Sequence, residues 1–145
     1  MADSIQIEIV TPERKVIEVT ATEITVPGKG GYLGILPGHA PLISELAVGV
    51  IDYRTPSGQQ HHLSCAWGFV EVLPEKVTIL AEVSERGEEI DVERARRARE
   101  RAEAALKSGD QKEEERARAQ RDLQLANTRL EVAGKIDPAL ANILP

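Results

Sequence analysis

Five arginines fall within eight residues, at Arg94, Arg96, Arg97, Arg99 and Arg101. A guanidinium fork meets carboxylate or phosphate oxygens two at a time, so this cluster suits docking on an acidic surface. The alternative reading is a solvated helix face, with Glu100 and Glu103 as ion-pair partners one turn away. Nucleic acid is not the expected ligand. The chain carries a net charge of −6, and no exposed aromatic platform on which bases would stack is expected from its four aromatics.

Catalytic chemistry is not expected, and neither is a required cofactor. Gly28-Lys29-Gly30-Gly31 has neither the spacing of a phosphate loop nor the Lys-Ser/Thr that follows one, and no GxGxxG follows a strand. His61 and His62 point to opposite faces if they lie on a strand, so they cannot jointly hold a metal. Cys65, the single cysteine, sits in an alternating apolar run and reads as a small buried hydrophobe with no base at any readable spacing. A lone cysteine permits no internal disulfide and makes a reduced, intracellular compartment the default. No apolar run approaches the roughly 18–20 residues of a membrane span, and Met1-Ala2-Asp3-Ser4 lacks a secretory pattern, so the chain is expected to be neither inserted nor secreted.

The elements that must position these residues change character near Ile90. Residues 1–89 hold 6 Lys/Arg against 13 Asp/Glu, while residues 90–145 hold 12 against 11; all four aromatics, Tyr32, Tyr53, Trp67 and Phe69, lie in the first part. That part alternates apolar and polar residues over short stretches: Ile5 to Ile9, Val16 to Val19, Ile24 to Val26, His62 to Cys65, Phe69 to Val72 and Val77 to Leu80. Turn signals at Thr11-Pro12-Glu13, Pro27 to Gly31, Thr55-Pro56-Ser57-Gly58 and Pro74-Glu75-Lys76 separate them. Turns at such spacing predict an antiparallel β-sandwich or barrel.

From Ile90 the apolar period lengthens to about three and a half. Asp91 is the expected N-cap, with Ile90 stapled over Ala95. Val92, Ala95, Ala98, Ala102 and Ala105-Leu106 form one stripe, Lys107 to Asp110 break it, and Ala119, Leu123, Ala126, Leu130 and Ala133 form a second. A short loop makes the two helices antiparallel neighbours, and Gly134 is the expected terminator. The fold class is therefore α+β in two parts, a sandwich over 1–89 and a helical hairpin over 90–145, whose tail from Lys135 to Pro145 adds a turn at most. The seam is mostly alanine, about three carbons short of leucine at each site. At ~0.8 kcal/mol per carbon this predicts a weakly self-adherent hairpin, able to open or swing.

One loop is distinctive, running Gly31-Tyr32-Leu33-Gly34-Ile35-Leu36-Pro37-Gly38-His39-Ala40-Pro41-Leu42. Pro37-Gly38 suits the central pair of a type II turn, giving either a plain β connection or a rigid docking edge. This loop, Trp67-Gly68-Phe69-Val70-Glu71-Val72, Val77-Thr78-Ile79-Leu80-Ala81 and the Ala/Arg hairpin occur in the order found in the epsilon subunits of F-type ATP synthases. Over residues 4–133 the chain resembles that family.

The resemblance implies a rotor subunit of the central stalk that is not itself an enzyme. Its head would contact the gamma subunit and the membrane-embedded c-ring, coupling c-ring rotation to ATP synthesis. Gly30, Gly31, Tyr32, Pro37, Gly38 and His39 match the docking loops, although Tyr32 stands where many members carry an acid. The hairpin would reach the alpha and beta catalytic subunits through the five arginines and oppose ATP hydrolysis. Glu85, Asp91, Arg94, Ala95, Arg101 and Arg129 match the family's ATP-sensing site, but Leu125 replaces a further arginine. Weak or no ATP binding is expected unless Arg121 compensates. Localisation would be peripheral, on the cytoplasmic side of a bacterial plasma membrane or the stromal side of a thylakoid.

Overall fold

The computed structural model describes residues 3–143. The expectations that concern Met1-Ala2 and the last two positions, Leu144-Pro145, lie outside the described residues. The chain divides between Arg86 and Gly87 into two compact units.

The first unit holds eight strands: β1 (Ile5–Val10), β2 (Lys15–Ala21), β3 (Glu23–Gly28), β4 (Gly31–Ile35), β5 (Leu42–Leu46), β6 (Gly49–Arg54), β7 (Gln60–Val72) and β8 (Lys76–Arg86). They form one continuous hydrogen-bonded sheet in the order β2-β1-β8-β7-β5-β3-β4, with β6 bridging β3 and β7. Every pair is antiparallel except β1 with β8, where Gln6 to Val10 run parallel to Lys76 to Leu80. The sandwich expected from the alternation is present, with this one parallel pair inside it. A parallel neighbour needs a long crossover, and the six strands between β1 and β8 provide it.

Sandwich layering comes from β7. Its residues Gln60 to Cys65 pair with β6, whereas Gly68 to Val72 pair with β5, so one long strand serves both layers. The two runs read as separate strands in the sequence are thus one strand of 13 residues. It bends at Trp67-Gly68, where φ is +53° and +146°. Gly68 passes so close to β8 that a Cβ there would lie 1.9 Å from the Leu80 carbonyl oxygen. The core between the layers contains Ile5, Ile7, Ile9, Ile24, Val26, Ile35, Ile51, Leu63, Cys65, Val70, Val72 and Ile79, all at most 1% exposed. Cys65 is buried there as expected, and burial pushes its thiol up from 9.0 to about 12.

The second unit opens with a 3-10 turn, Gly87–Glu89, followed by α1 (Val92–Lys107), α2 (Glu113–Ile136) and a second 3-10 turn, Pro138–Ile143. Asp91 is the N-cap of α1: its carboxylate Oδ1 accepts a hydrogen bond from the Arg94 N–H at 3.0 Å. Among the stripe positions, Ala95, Ala102, Ala119, Ala126, Leu130 and Ala133 are buried, and Val132 joins them. Gly134 does not end α2. The helix runs through it to Ile136, and Asp137 closes it by donating its N–H to the Ala133 carbonyl at 2.9 Å. Pro138 explains the stop better than Gly134, because the residue before a proline is driven out of the helical region.

Candidate docking surfaces and a guanidinium cleft

The sandwich turns a set of apolar side chains outward. Ile43 on β5, Phe69 on β7 and Leu80 on β8 are 69%, 53% and 55% exposed. Phe69 stands directly opposite Leu80 and Glu45, while Ile43 stands opposite Glu71, one diagonal step from Phe69. Residues two apart on a strand share a face, so the three form one apolar stripe across β5, β7 and β8, with Glu45 and Glu71 beside it. Exposed apolar groups gathered on one sheet face mark an interaction surface more often than scattered ones do. The sequence carried a signal for this that the strand reading missed. Leu42-Ile43, Phe69-Val70 and Ile79-Leu80 are apolar doublets in alternating strands, and one member of each must face outward.

The docking-loop residues fall at two places. Lys29 and Gly30 make the turn between β3 and β4, and Gly31 opens β4, with Gly28 paired to Gly31 and Pro27 to Tyr32. Lys29 Nζ pairs with Glu45 at 2.7 Å, and that bond raises the lysine above its ordinary value. Tyr32 lies on β4, and its hydroxyl oxygen accepts a hydrogen bond from the Val50 N–H at 3.1 Å.

Pro37, Gly38 and His39 lie beyond the far end of β4. There the His39 N–H donates to the Leu36 carbonyl at 3.1 Å and Gly38 has φ +87°, closing the turn expected of Pro37-Gly38. The Gly38 N–H donates to the Pro74 carbonyl at 2.8 Å, tying this turn to the β7–β8 connection. Five strand residues separate the two turns, about 17 Å at ~3.4 Å per residue, so they cannot act as a single tip. Leu36 and Leu73 are exposed at the Pro37 end.

In the second unit α1 and α2 enclose an open cleft of about 440 Å³ whose lining includes Arg94, Arg101, Arg118 and Arg129, with Glu115 and Asp122 as the acidic members. The structure thus brings together three of the six residues matched to an ATP-sensing site. Ala95 is buried and Asp91 caps α1, neither lining the cleft; Glu85 belongs to the first unit, where its Oε1 accepts from the Ser64 hydroxyl at 3.1 Å and its N–H donates to Ser64 Oγ at 3.0 Å. Leu125 and Arg121 do not line the cleft, and Arg118, which the sequence reading passed over, does. Arg118 was findable, since it stands four residues before Asp122 and eleven before Arg129, on the same helical face.

The remaining arginines of α1 behave differently. Arg96 pairs with Glu93 at 2.8 Å and Arg99 with Glu103 at 3.6 Å, while Arg97 is exposed. The ion-pair part of the solvated-face reading fits Arg96 and Arg99, with Glu93 instead of Glu100 as the first partner, but the Arg99 side chain is only 19% exposed. Adjacent residues at ~100° per position cannot all share one side of a helix, so the run splits between cleft and surface.

His61 stacks on Tyr53 with ring centroids 5.0 Å apart, and His62 Nδ1 pairs with Asp52 Oδ1. Among the described residues no three metal-capable side chains gather, and no helix is long and apolar enough to cross a membrane.

Comparison with known proteins agrees with this division. A family profile described as ATP synthase, Delta/Epsilon chain, beta-sandwich domain matches residues 4–87, and one described as ATP synthase, Delta/Epsilon chain, long alpha-helix domain matches residues 88–134. The chain is 58% identical over 108 residues to the ATP synthase epsilon chain of Koribacter versatilis, covering 74% of this chain and 75% of that one. It is 42% identical over 135 residues to the ATP synthase epsilon chain of Geobacter sulfurreducens, covering 93% and 97%.

A chain in the cryo-EM structure of the Euglena gracilis mitochondrial ATP synthase, OSCP/F1/c-ring in rotational state 1, superposes with a TM-score of 0.79 at 25% identity, covering 92% of this chain and 82% of that one. A chain of the Tetrahymena thermophila mitochondrial ATP synthase central stalk/c-ring shares the fold at a TM-score of 0.59 and 14% identity, covering 89% and 96%. With a sandwich and a helical hairpin each matched by its own profile in the right order, the chain belongs to the ATP synthase delta/epsilon chain family.

Proposed function

We propose that this chain is a central-stalk subunit of a proton-translocating F-type ATP synthase, a non-catalytic part that transmits c-ring rotation to ATP synthesis. Its partners are a gamma subunit and the c-ring for the head, and the alpha and beta subunits for the hairpin. Its place is peripheral, at the cytoplasmic face of the membrane. The observation that carries the reading is the outward apolar stripe of Ile43, Phe69 and Leu80 on a rigid sheet, a surface suited to a permanent partner. Co-purification with a gamma-like subunit and a membrane c-ring tests it; isolation as a free chain would sink it.

The hairpin acts as a brake on hydrolysis. What supports this is its alanine seam: among the described residues of α1 and α2, the buried ones are Ala95, Ala102, Ala119, Ala126 and Ala133 with Leu130 and Val132. A hairpin held so lightly needs only a small differential interaction to change state. Comparing ATPase rates of the parent complex with and without residues 90–145 reads the brake directly, and unchanged hydrolysis removes it.

A regulatory nucleotide contact is supported by the cleft between α1 and α2. Four guanidinium groups there exceed two carboxylates, leaving a net positive lining that suits a polyphosphate. The absence of an arginine at position 125 keeps affinity low, and Arg118 supplies part of what Leu125 does not. Titration of the chain with ATP should give weak binding that weakens further in Arg118→Ala; micromolar affinity in the unmodified chain would contradict this.

A further inference from the structure

Tyr32 is more than half exposed, yet its polar tip is turned inward. The hydroxyl oxygen accepts from the Val50 N–H at 3.1 Å, bridging 18 residues of sequence. The ring stands on β4 directly opposite Pro27 of β3. Both meet the backbone at Gly49, where β6 begins. A Cβ built on Gly49 would lie 2.6 Å from the Tyr32 hydroxyl oxygen and 2.7 Å from Pro27 Cβ. Non-bonded carbons do not approach so closely, so the phenol can be seated only over a residue without a side chain.

The rest of the turn is fixed from the other side. The Lys29 N–H donates to the Glu45 carbonyl at 2.9 Å, the Ala47 N–H donates to the Pro27 carbonyl at 2.8 Å, and the Lys29 ammonium pairs with the Glu45 carboxylate. The Gly28-Lys29-Gly30-Gly31 turn is thereby tied to β5 through Lys29, to the β5–β6 connection through Pro27, and to β6 through Tyr32. Three glycines in the turn make it pliable by itself. The long-range bond from Tyr32 is the tie nearest the end of the turn that enters β4.

We propose that Tyr32 is a positioning residue for rotor coupling: its hydroxyl, seated over Gly49 and bonded to the Val50 amide, holds the Gly28–Gly31 turn in its docking geometry. The inference rests on the stalk function proposed above and adds a residue role to it. Tyr32 contributes no charge to the contact. The surface it leaves outward is an aromatic face beside bare glycine backbone, flanked by a lysine already paired to a glutamate.

The test uses Tyr32→Phe, which keeps the ring and removes the bond, in the full-length chain and in the assembled synthase in proteoliposomes. In the chain, hydrogen exchange at the Val50 amide should rise at least fivefold while β1 and β8 amides are unchanged. In the holoenzyme, protons pumped per ATP hydrolysed should fall at least twofold with the chain still present at its normal stoichiometry. A tyrosine that served only the fold would lower the thermal midpoint and leave the pumping ratio of assembled complexes intact.

Gly49→Ala should raise Val50 exchange in the same way, and adding Tyr32→Phe to it should change nothing more; if Gly49→Ala does not fold, the Tyr32→Phe comparison decides alone. An unchanged Val50 exchange rate or an unchanged pumping ratio in Tyr32→Phe overturns the inference. Holoenzyme assembled without the chain separates the two failures. Pumping lost on omission but intact in Tyr32→Phe refutes only the role of Tyr32, whereas pumping indifferent to omission refutes the stalk function with it.

Discussion

Replacing Asp91 by alanine tests the helix cap of α1 directly. Asp91 caps α1 by accepting the Arg94 N–H at 3.0 Å, and it also matches a residue of the family's ATP-sensing site. Loss of an aspartate cap costs about 1 kcal/mol. With RT near 0.59 kcal/mol, that corresponds to about a fivefold rise in the population of the frayed helix start. Asparagine caps about as well as aspartate, so Asp91→Asn loses only the favourable charge at the helix N-terminus, about 0.3 kcal/mol for an exposed site, or less than twofold.

The assay is amide hydrogen exchange on the full-length chain. Amides from Arg94 to Ala98 should exchange about fivefold faster in Asp91→Ala and less than twofold faster in Asp91→Asn, with β1 and β8 unaffected. Equal acceleration in both variants, well above fivefold, would show that the carboxylate charge and not the cap is what matters, and the capping argument would fail.

Phe69→Gln, which adds no charge opposite Glu45, should leave the thermal midpoint of the isolated chain nearly unchanged, within ~0.5 kcal/mol for an exposed site, while sharply reducing co-purification with the stalk; retained assembly would remove the apolar stripe as an interface. Gly68→Ala should be severe, because its Cβ would meet the Leu80 carbonyl oxygen at 1.9 Å. A urea midpoint should report a loss at or beyond the upper end of the ~1–3 kcal/mol of overpacking, and a mild effect would contradict the close strand approach. The Cys65 thiol is pushed up to about 12 from 9.0 by burial. The native state therefore binds more protons than the unfolded state between those values, and stability falls as pH rises through that window, by at most about 1.4 kcal/mol per pH unit. Below pH 9 it contributes no pH dependence, and native Cys65 should resist alkylation there; rapid labelling at pH 8 would refute the burial.

Much of the fold is legible in the sequence, for local reasons. Ile5, Ile7 and Ile9 alternate because one face of β1 is core, and the alanine stripes of α1 and α2 recur because one face of each helix is buried. Turns and the Asp91 cap follow from the backbone preferences of proline, glycine and aspartate. The family resemblance lay in ordered strings of the same kind. What the strings did not reveal depends on residues far apart in sequence.

Gly134 looked like a helix terminator because glycine often is one, but Asp137-Pro138 ends α2. The β7 strand looked like two because Trp67-Gly68 breaks its alternation, whereas the bend is where one strand crosses between layers. Arg94, Arg101, Arg118 and Arg129 line one cleft only when α1 and α2 run side by side, and Leu125 and Arg121 are not part of its lining. In the sequence Tyr32 is only a docking-loop match that stands where many family members carry an acid. Only the tertiary structure sets its hydroxyl over Gly49, because a hydrogen bond across 18 residues is fixed by the pairing of β3 with β4 and β6, and no spacing in the sequence encodes it.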